Sequence, residues 1–287
     1  MQEKQPAPAK EQSAICPICP HHCQLTAGQT GLCTARANVD GSIICTNYGQ
    51  LTSLALDPIE KKPLYHFHPG NVILSAGSYG CNIHCPFCQN YEISQAQEGT
   101  RLTHPCTPME LTELAADART RYGNIGVAFT YNESLVSYEY VRDCAELLHA
   151  KNLAVVLVTN GQICAKPLAK LLPHIDAMNI DLKGFTQTFY DWLGGDLRTT
   201  QNTIQNAIAA GVHVEVTTLI IPGKNDSDAD MDAEARWLAA LSPAIPLHLS
   251  RYFPRYHCTL PATPTAMLKR LQQIAARHLQ YVHLGNV

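Results

Sequence analysis

Short apolar runs alternate with amphipathic stretches over most of this chain. From Val72 onward, runs of Val, Ile, Leu and Ala recur about every 25 to 35 residues, a spacing typical of strands joined by crossover helices. They predict strands near residues 72–77, 125–130, 153–158, 175–180, 212–220, 246–250 and 281–284. Six or seven such units indicate an α/β fold, with a parallel sheet that forms an incomplete (β/α) TIM-like barrel.

Two of the intervening stretches carry apolar residues at helical spacing. One follows Pro108 and the other begins at Tyr138. Positions i, i+3, i+4 and i+7 lie on one face of a helix, so these residues are expected to pack on the sheet. They are Leu111, Leu114, Ala115 and Ala118 in the first helix, and Tyr138, Val141, Ala145 and Leu148 in the second. Cys144 lies on the second face and is expected in the core.

The chain before Val72 lacks this repeat. Its first residues are polar and contain no apolar run, which predicts a disordered tail over 1–13. Pro58, Pro63 and Pro69 exclude a long helix from 51–70 and predict an extended linker packed on the barrel. Within it, Glu60, Lys61 and Lys62 are read as solvated charges, or else as a grip on a partner or on an anionic group. The predicted domains are the tail 1–13, a Cys-rich metal-binding segment 14–50, the linker 51–70 and the partial barrel 71–287.

Composition narrows the class of protein. The chain has 287 residues, 46% of them hydrophobic, and a net charge of −3. No global basic field is present for nucleic acid or an anionic membrane. The longest apolar runs have the length of strands, and the first residues lack the apolar core of a secretory signal. We therefore expect a cytoplasmic protein whose twelve cysteines are reduced and available for metal.

The cysteine loop, residues 81–88, carries the most specific of these patterns. Cys81, Cys85 and Cys88 are spaced C-x3-C-x2-C after the strand that starts at Val72. Three thiolates can hold three irons of a [4Fe–4S] cluster and leave the fourth iron open. An open coordination position is typical of a metal centre that performs chemistry. A zinc knuckle or a disulfide pair is the alternative, although zinc sites favour paired C-x2-C units.

A second cysteine set lies closer to the N-terminus. Cys16, Cys19, Cys23 and Cys33 are spaced C-x2-C-x3-C-x9-C. Four thiolates over so short a stretch suit a closed site that stabilises a segment too small for a core of its own. Zinc is the favoured metal, and a second iron–sulfur cluster or four unligated thiols are the alternatives.

Polar residues follow nearly every predicted strand. The carboxyl ends of parallel strands meet on one face of a barrel, which is where such folds bind their ligands. Chemically rich side chains at each strand end therefore predict one shared site. They are Tyr131, Asn132, Glu133 and Ser134; Thr159 and Asn160; Asp181 and Lys183; Lys224, Asn225 and Asp226; and Ser250, Arg251 and Tyr252.

These motifs resemble those of a known family. The cysteine loop, with Phe87 directly before its last Cys, looks like the cluster loop of the radical S-adenosylmethionine (SAM) enzymes, in which SAM occupies the open iron. The strand-end motifs FTYNES, TNG, DLKGF and LIIPGKND resemble activating enzymes of the pyruvate formate-lyase type. With DPIEKKPLYHFHPG and the final LGNV, they resemble the radical SAM enzyme of the AmmeMemoRadiSam system. The resemblance covers about residues 16 to 287.

The resemblance implies roles for individual residues. Cys81, Cys85 and Cys88 would ligate the cluster. Glu133, helped by Asn132, would accept hydrogen bonds from the SAM amino group, because a carboxylate and an ammonium make a short charge-assisted contact. The remaining residues implied for cofactor binding are Thr159 and Asn160 at the methionine end, Asp181 and Lys183 beside SAM or a substrate peptide, and His248 and Arg251. For each of them the alternative is a purely structural role at a strand end.

The implied activity is reductive cleavage of SAM to a 5′-deoxyadenosyl radical, which abstracts hydrogen from a protein or small-molecule substrate. Activation of a glycyl-radical enzyme is one alternative, and a non-catalytic iron–sulfur redox or regulatory protein is another. The implied partners are an electron donor such as flavodoxin or ferredoxin, and Memo-like and AMMECR-like companion proteins.

Two sequence features differ from the related enzymes, and one cysteine lies outside the shared motifs. Val158 stands where activases of the formate-lyase type carry Asp, which puts a monovalent cation site in doubt. The chain stops at Val287, where many members of the branch continue into a Cys-rich tail. Cys258 is expected near the mouth of the barrel, where a reactive thiol is one reading of it.

Overall fold

The structure is a computed structural model, and it describes residues 13–96, 99 and 102–287. Apart from Ser13, the predicted disordered tail lies outside the described residues. All twelve cysteines lie within them, and each is a free thiol, as expected from the sequence.

One mostly parallel sheet of eight strands organises the chain, in the order β14-β13-β12-β11-β10-β9-β7-β6. The strands of the chain are β1 Ala14–Ile15, β2 Gln24–Leu25, β3 Arg36–Val39, β4 Ser42–Cys45, β5 Gln50–Leu51, β6 Ser53–Pro58, β7 Val72–Gly77, β8 His104–Pro105, β9 Gly126–Phe129, β10 Ala154–Thr159, β11 Ala177–Asp181, β12 His213–Ile220, β13 Leu247–Arg251 and β14 Val282–Gly285. The seven strands predicted from the apolar runs are β7 and β9 to β14, and these seven are all parallel to one another. The predicted fold class, an incomplete barrel, is confirmed, since no pairing between β14 and β6 closes the sheet within the described part of the chain.

Helices connect the strands and cover the outer face of the sheet. They are α1 Tyr91–Ser94, α2 Pro108–Tyr122, α3 Tyr138–Ala150, α4 Ala165–Leu171, α5 Gln187–Leu193, α6 Leu197–Ala209, α7 Asp228–Leu241 and α8 Thr265–Ala275, with 3₁₀ turns at Ile59–Lys61, Ser134–Ser137 and Leu172–His174. None of these helices within the described residues is long and apolar enough to cross a lipid bilayer.

The helix face predicted from apolar spacing is correct for α3 and only in part for α2. In α3, Tyr138, Val141, Cys144, Ala145 and Leu148 are all buried. In α2, Leu111 and Ala115 are buried, Ala118 is half-buried, and Leu114 is 46% exposed. Leu114 borders an open groove that also involves Leu51 and Pro105, so the contact surface of α2 is narrower than the apolar pattern indicates.

The segment expected as a linker is partly built into the sheet. Its first part is β6, which pairs antiparallel with β7 from Ser53–Gly77 to Pro58–Val72. The rest, residues 59–70, here called the strap, runs across the inside of the barrel. Ile59 and Leu64 are fully buried there and pack against the strand residues Ile73, Ala128, Val156 and Ala177. The strap therefore fills one end of the barrel with apolar side chains.

One charge in the strap corrects the expectation of solvated residues. Lys62 is only 3% exposed, and its Nζ lies 2.9 Å from Asp57 Oδ2. A buried ammonium requires a paired carboxylate, and Asp57 at the end of β6 supplies it. Lys61, by contrast, keeps an exposed side chain.

Candidate active site

The carboxyl ends of the strands surround a cavity of about 540 Å³. The cysteine loop leaves the end of β7 and forms one wall, and the strap forms part of the opposite side through Glu60, Lys61 and Tyr65. Predicted site residues that line the cavity are Cys81, Cys85, Cys88, Asn132, Glu133, Thr159, Asn160, Asp181, Lys183 and His248. Strand-end residues that do not line it among the described residues are Ser134, Lys224, Asn225, Asp226, Arg251 and Tyr252.

Contacts from three directions hold the cysteine loop in place. The backbone N–H of His84 donates to Leu193 O at 2.8 Å, and that of His257 donates to Pro86 O at 2.8 Å. Phe87 packs among Phe189, Trp192 and Tyr252. The aromatic residue before the last cysteine therefore anchors the loop in an apolar cluster.

Cys258 belongs to that same apolar cluster. It is 6% exposed and packs with Ile83, Cys85 and Phe87, and it is not among the described residues that line the cavity. The position supports a packing role for this thiol and does not support the alternative of a reactive group at the mouth.

The three thiols of the cysteine loop fit an iron–sulfur cluster chemically. Burial raises the pKa of Cys85 to about 12, although Lys183 opposes the shift, and burial together with Glu133 raises the pKa of Cys81. Thiolates so placed require a cation, which bound iron supplies. Polar side chains already contact these sulfurs: Asn160 Nδ2 donates to Cys81 Sγ at 3.6 Å, and Ser94 Oγ shares a hydrogen bond of 3.1 Å with Cys88 Sγ.

Glu133 is a buried carboxylate at the end of β9. Its Oε1 accepts from Thr159 Oγ1 at 2.6 Å and from Leu135 N at 2.9 Å, and its Oε2 accepts from Asn160 N at 2.7 Å. Burial raises the pKa of Glu133 in spite of these donors. Since an ionised carboxylate can accept about four hydrogen bonds, a place for a further donor from the cavity is left.

Thr159 and Asn160 orient Glu133 from β10, as the contacts above show. Asn160 also reaches the cysteine loop, because its Nδ2 donates to Asn82 Oδ1 at 2.9 Å. Asn132 holds the entry to that loop: Ser78 N donates to its Oδ1 at 2.9 Å, and its Nδ2 donates to the carbonyls of Tyr79 and Gly80. These amides position Glu133 and the cysteines relative to each other.

Asp181 and Lys183 form an ion pair inside the cavity, with 2.7 Å between Lys183 Nζ and Asp181 Oδ2. Burial lowers the pKa of Lys183, but Asp181, Cys85 and Cys88 outweigh that effect, and the resulting pKa is above the ordinary value. Lys183 therefore keeps its positive charge next to the thiols of the cysteine loop.

His248 and Arg251, both in β13, differ in placement. His248 lines the cavity and its Nε2 lies 2.7 Å from Glu215 Oε2. Arg251 is absent from the cavity wall in the described residues; its Nε donates to Thr263 O at 2.8 Å and its guanidinium stacks on Phe253. The cofactor-binding role implied for Arg251 gains no support, because its side chain is used in packing the loop that follows β13.

Glu215 is a residue of the site region that the sequence analysis missed. It accepts from the backbone N–H groups of Tyr65 and His66 in the strap, at 3.0 and 2.8 Å, as well as from His213 and His248. These donors overcome the effect of burial and lower the pKa of Glu215 to about 2. The sequence feature that could have revealed it is a charged residue between Val214 and Val216 in β12.

Tyr131, one of the predicted strand-end residues, joins two parts of the fold. Its backbone has a positive φ of 75°, a costly conformation for a bulky residue. Its hydroxyl donates to Asp57 Oδ2 at 2.8 Å, and Lys62 Nζ lies 4.7 Å from its ring centre. Tyr131 thus ties the end of β9 to β6 and the strap.

The second cysteine set surrounds a small enclosed cavity of about 10 Å³, here called the four-cysteine chamber. Its walls are Cys16, Cys19, Cys23 and Cys33, with Ile18, His21, Gly31, Leu32, Arg36 and Val136. Burial raises the pKa of Cys19 to about 12 and also that of Cys33. Across the described residues, no group of three or more His, Cys, Asp or Glu side chains is placed so that it could hold a single metal ion.

Comparison with known sequences identifies relatives along nearly the whole chain. The chain is 38% identical over 275 residues to the uncharacterized protein MJ0808 of Methanocaldococcus jannaschii, an alignment that covers 95% of this chain and 81% of that protein. Over 137 residues it is 29% identical to the benzylsuccinate synthase activating enzyme of Thauera aromatica, covering 46% of this chain and 40% of that enzyme.

Solved structures share the fold at low sequence identity. A radical SAM methyltransferase from Sphaerobacter thermophilus superposes with a TM-score of 0.59 at 19% identity, covering 76% of this chain and 67% of that one. SuiB of Streptococcus suis, bound to S-adenosylmethionine, superposes with a TM-score of 0.55 at 14% identity, covering 74% and 51%. The sequence model of the radical SAM superfamily matches residues 76–238. Since that match covers more than half of the chain and includes the cysteine loop and the parallel strands β9 to β12, the chain belongs to the radical SAM superfamily.

Proposed function

We propose that this protein cleaves SAM reductively at a [4Fe–4S] cluster held by Cys81, Cys85 and Cys88, and that it uses the resulting radical on a substrate bound in the same cavity. The observation that carries the proposal is the cavity itself. It places three thiols, the buried Glu133 and the Asp181–Lys183 pair around one space of about 540 Å³. A non-catalytic iron–sulfur protein has no need of such polar walls.

The residues around the cavity divide the work of binding. Cys81, Cys85 and Cys88 would hold the cluster, and Lys183 would offset its negative charge. Glu133 Oε2 would accept from the SAM amino group, while Thr159 and Asn160 keep that carboxylate oriented. With both groups bound and the cluster reduced, they supply a 5′-deoxyadenosyl radical that abstracts hydrogen.

The remaining walls would position the substrate and exclude water. Tyr65 from the strap and His248 lie on this side of the cavity, and Glu215 holds both of them through hydrogen bonds. These hydrogen bonds would fix the positions of the two residues on the side of the cavity that binds the substrate.

The direct test is formation of 5′-deoxyadenosine. The protein is reconstituted with iron and sulfide without oxygen, reduced with dithionite and mixed with SAM. We expect 5′-deoxyadenosine and methionine in equal amounts. A preparation with a fully loaded cluster at Cys81, Cys85 and Cys88 that releases neither product would overturn the proposal.

Activation of a glycyl-radical enzyme is a second candidate, favoured by the similarity to the benzylsuccinate synthase activating enzyme over 137 residues. The substrate would then be a glycine in a protein partner. Co-expression with a glycyl-radical enzyme encoded near this chain should produce the doublet electron paramagnetic resonance signal of a glycyl radical. Neighbouring genes for Memo-like and AMMECR-like proteins alone would favour instead the AmmeMemoRadiSam assignment, with a substrate tied to those companions.

The proposal extends to electron supply and location. A flavodoxin or ferredoxin is the proposed electron donor, as is usual for activating enzymes related to this chain. Twelve free cysteines suit the reducing cytoplasm. The four-cysteine chamber is proposed to bind metal as well, either zinc or a second iron–sulfur cluster.

A further inference from the structure

The chain between β13 and α8 forms a short exposed loop beside the cysteine loop. Residues 253–257, with the sequence FPRYH, are all exposed and are here called the aromatic loop. Phe253 is 43% exposed and Tyr256 is 37% exposed. Within the described part of the chain, no residue of the aromatic loop lines the cavity of the candidate active site. The loop therefore presents its side chains to the outside of the molecule.

Buried residues on both sides hold the aromatic loop in one conformation. Tyr252 and Cys258 are 1% and 6% exposed, and the Tyr252 hydroxyl donates to Cys258 O at 2.9 Å. The backbone N–H of Arg255 donates to Cys258 O at 3.2 Å, and that of Cys258 donates to Arg255 O at 3.1 Å. Between them, Tyr256 has a φ of +55°, a costly conformation for a bulky residue. The anchored loop thus keeps an exposed ring where the backbone alone disfavours it.

The aromatic loop touches the cysteine loop directly. The backbone N–H of His257 donates to Pro86 O at 2.8 Å, and Pro86 follows Cys85 in the chain. The ring of Tyr256 stacks on that of Tyr91 in α1, with 4.5 Å between the ring centres and 15° between the planes. A protein bound to the aromatic loop would therefore lie one hydrogen bond away from the backbone that carries the proposed cluster ligands.

The aromatic loop and its flanks carry positive charge only. Residues 251–258, RYFPRYHC, include two arginines and no carboxylate, in a chain whose net charge is −3. The guanidinium of Arg251 lies 4.7 Å from the ring centre of Phe253, and that of Arg255 lies 5.9 Å from the ring centre of Tyr91. Neither arginine is paired with a carboxylate among the described residues. A guanidinium stacked on a ring can still bind a carboxylate of another protein through its edge.

We propose that the aromatic loop is the docking surface for the electron donor of this protein, an acidic protein of the flavodoxin or ferredoxin class. Arg251 and Arg255 pair with carboxylates around the redox centre of the donor, and the rings of Phe253 and Tyr256 form the apolar part of the contact. The reduced donor loses one electron, and the cluster at the cysteine loop gains it. This role rests on the proposed function, because the electron serves the cleavage of SAM at that cluster.

An electron donor fits this surface better than a protein substrate does. A substrate has to place its reacting group inside the cavity, and the described cavity wall contains no residue of the aromatic loop. A donor has only to approach the cluster, and His257 joins the aromatic loop to the backbone at Pro86. Weak electron-transfer complexes bury less than about 1,200 Å², so two rings and two cations form an adequate surface. Attraction between opposite charges speeds such encounters and is weakened by salt.

The docking surface is tested with Arg255→Glu, reconstituted to the same iron content as wild type. With an acidic flavodoxin as the donor, reduced and at limiting concentration, 5′-deoxyadenosine formation should fall on the order of tenfold or more. With dithionite, which needs no docking surface, it should match wild type. Equal flavodoxin-driven rates in Arg255→Glu and wild type would overturn the proposal. A loss with both reductants would overturn it too, since Arg255 would then act on the site itself.

The matched control is Arg277→Glu, which makes the same change of charge elsewhere. Arg277 is also exposed, but it lies between α8 and the amino end of β14, away from the carboxyl ends of the strands. We expect wild-type rates with both reductants. An equal loss of flavodoxin-driven activity in Arg277→Glu and Arg255→Glu would show an effect of net charge and contradict a defined docking surface.

Donor binding is measured separately from SAM cleavage. Isothermal titration calorimetry of oxidised acidic flavodoxin into the cluster-loaded protein requires neither SAM nor turnover. The affinity should decrease as NaCl is added, and it should be about tenfold lower in Arg255→Glu. A wild-type protein that binds flavodoxin but forms no 5′-deoxyadenosine would contradict the proposed function and support the docking surface. A wild-type protein that binds neither flavodoxin nor an acidic ferredoxin would overturn the docking surface.

The ring at position 256 is tested without a change of charge. Tyr256→Asn removes the ring, and asparagine tolerates a positive φ, whereas Tyr256→Phe keeps the ring. Flavodoxin-driven turnover should fall several-fold in Tyr256→Asn and stay at the wild-type level in Tyr256→Phe, at equal iron content and equal dithionite-driven rates. A ring that only stabilises the loop would lower the unfolding temperature in Tyr256→Asn and leave donor affinity unchanged, and that result would overturn its role in docking.

Discussion

The cysteine loop and the four-cysteine chamber use the same residue type at similar spacing, yet their surroundings differ. The loop faces a cavity of about 540 Å³ with carboxylate, ammonium and amide groups on its walls. The chamber has about 10 Å³, and apolar side chains such as Ile18, Leu32 and Val136 close it. Three cysteines with space around them suit a centre that binds further ligands, whereas four cysteines without space suit a centre that only holds charge or structure.

The difference shows what cysteine spacing leaves undecided. Spacing selects residues that can bind one metal group. The number of remaining coordination positions, the access for a second ligand and the local charge depend on elements far away in the chain. Glu133, Asp181 and Lys183 make the loop site polar, and Val136, which is 100 residues or more from the chamber cysteines in sequence, helps to close the chamber.

Loss of one cysteine ligand should have the largest effect on activity, and only in the cysteine loop. We expect Cys85→Ala to lower 5′-deoxyadenosine formation by more than about 10³-fold, because the proposed cluster at the cysteine loop is no longer held. The matched control is Cys144→Ala, which changes a buried thiol of α3 outside both sets. Activity remaining in Cys85→Ala would show that the cysteine loop is not the site of SAM cleavage.

The contact between the two sites offers the next test. In Gly80→Ala a Cβ would meet the Cys33 carbonyl and Ala35, at a backbone φ of +89°. Overpacking costs typically about 1–3 kcal/mol, and a left-handed backbone adds about 1–2 kcal/mol, so we expect a clear drop in thermal unfolding temperature and loss of iron from the cysteine loop. Gly123→Ala is the control: φ is +74° but nothing lies within 4 Å of its Cβ. Equal destabilisation by both changes would mean that the close approach at Gly80 contributes little.

Glu133 should affect SAM binding at the cavity beside the cysteine loop and leave the four-cysteine chamber unchanged. In Glu133→Gln we expect SAM affinity to fall about 10- to 100-fold, because a hydrogen bond to a charged group contributes about 1.5–3 kcal/mol. Isothermal titration calorimetry on the loaded, oxidised protein measures this, with iron content and unfolding temperature as checks on the fold. Glu234→Gln is the control, since Glu234 is equally buried but lies in α7 and binds Thr218. Unchanged SAM affinity in Glu133→Gln would show that the carboxylate has only a structural role.

Glu234 itself should alter stability without touching either site. Burial raises its pKa to about 8, so the folded protein keeps a proton that the unfolded chain has already released. The contribution of protonated Glu234 to the free energy of unfolding is complete below the ordinary pKa of about 4.5 and is lost as pH rises through about 8. The free energy of unfolding falls over this range by no more than about 1.4 kcal/mol per pH unit. Urea unfolding between pH 6 and 8.5 should therefore show stability that declines less in Glu234→Gln. Identical slopes would mean that Glu234 is ionised in the folded protein.

The fold was largely predictable from local pattern. Seven apolar runs became β7 and β9 to β14, because a strand buried on both faces must be apolar along its whole length. The edge strand β6 was missed because its sequence, Ser53–Pro58, contains a proline and alternates without a strong apolar face. Its place in the sheet comes from pairing with β7, a partner that a single segment does not reveal.

The residues of the candidate site were predictable where polar or charged side chains lie at the carboxyl ends of strands. Seven of the eight residues predicted to bind the cofactor follow or end a parallel strand, His248 lies within β13, and all of them except Arg251 line the cavity. Arg251 is absent from the cavity wall among the described residues, since its guanidinium stacks on Phe253. Glu215 was missed because it lies inside a strand, and its donors in the strap and in β13 come from distant parts of the chain.

The sequence by itself determined the parallel repeat, the two cysteine sets and the polar strand ends, because periodicity and spacing act over short distances along the chain. The tertiary structure alone decided that the strap fills one end of the barrel, that Glu133 is held by Thr159 and Asn160, and that Gly80 and His21 join the two cysteine sets. The hydrogen bonds among these contacts link residues 26 to 61 positions apart in the sequence. They exist only after the sheet has assembled and burial has forced each polar group to find a partner.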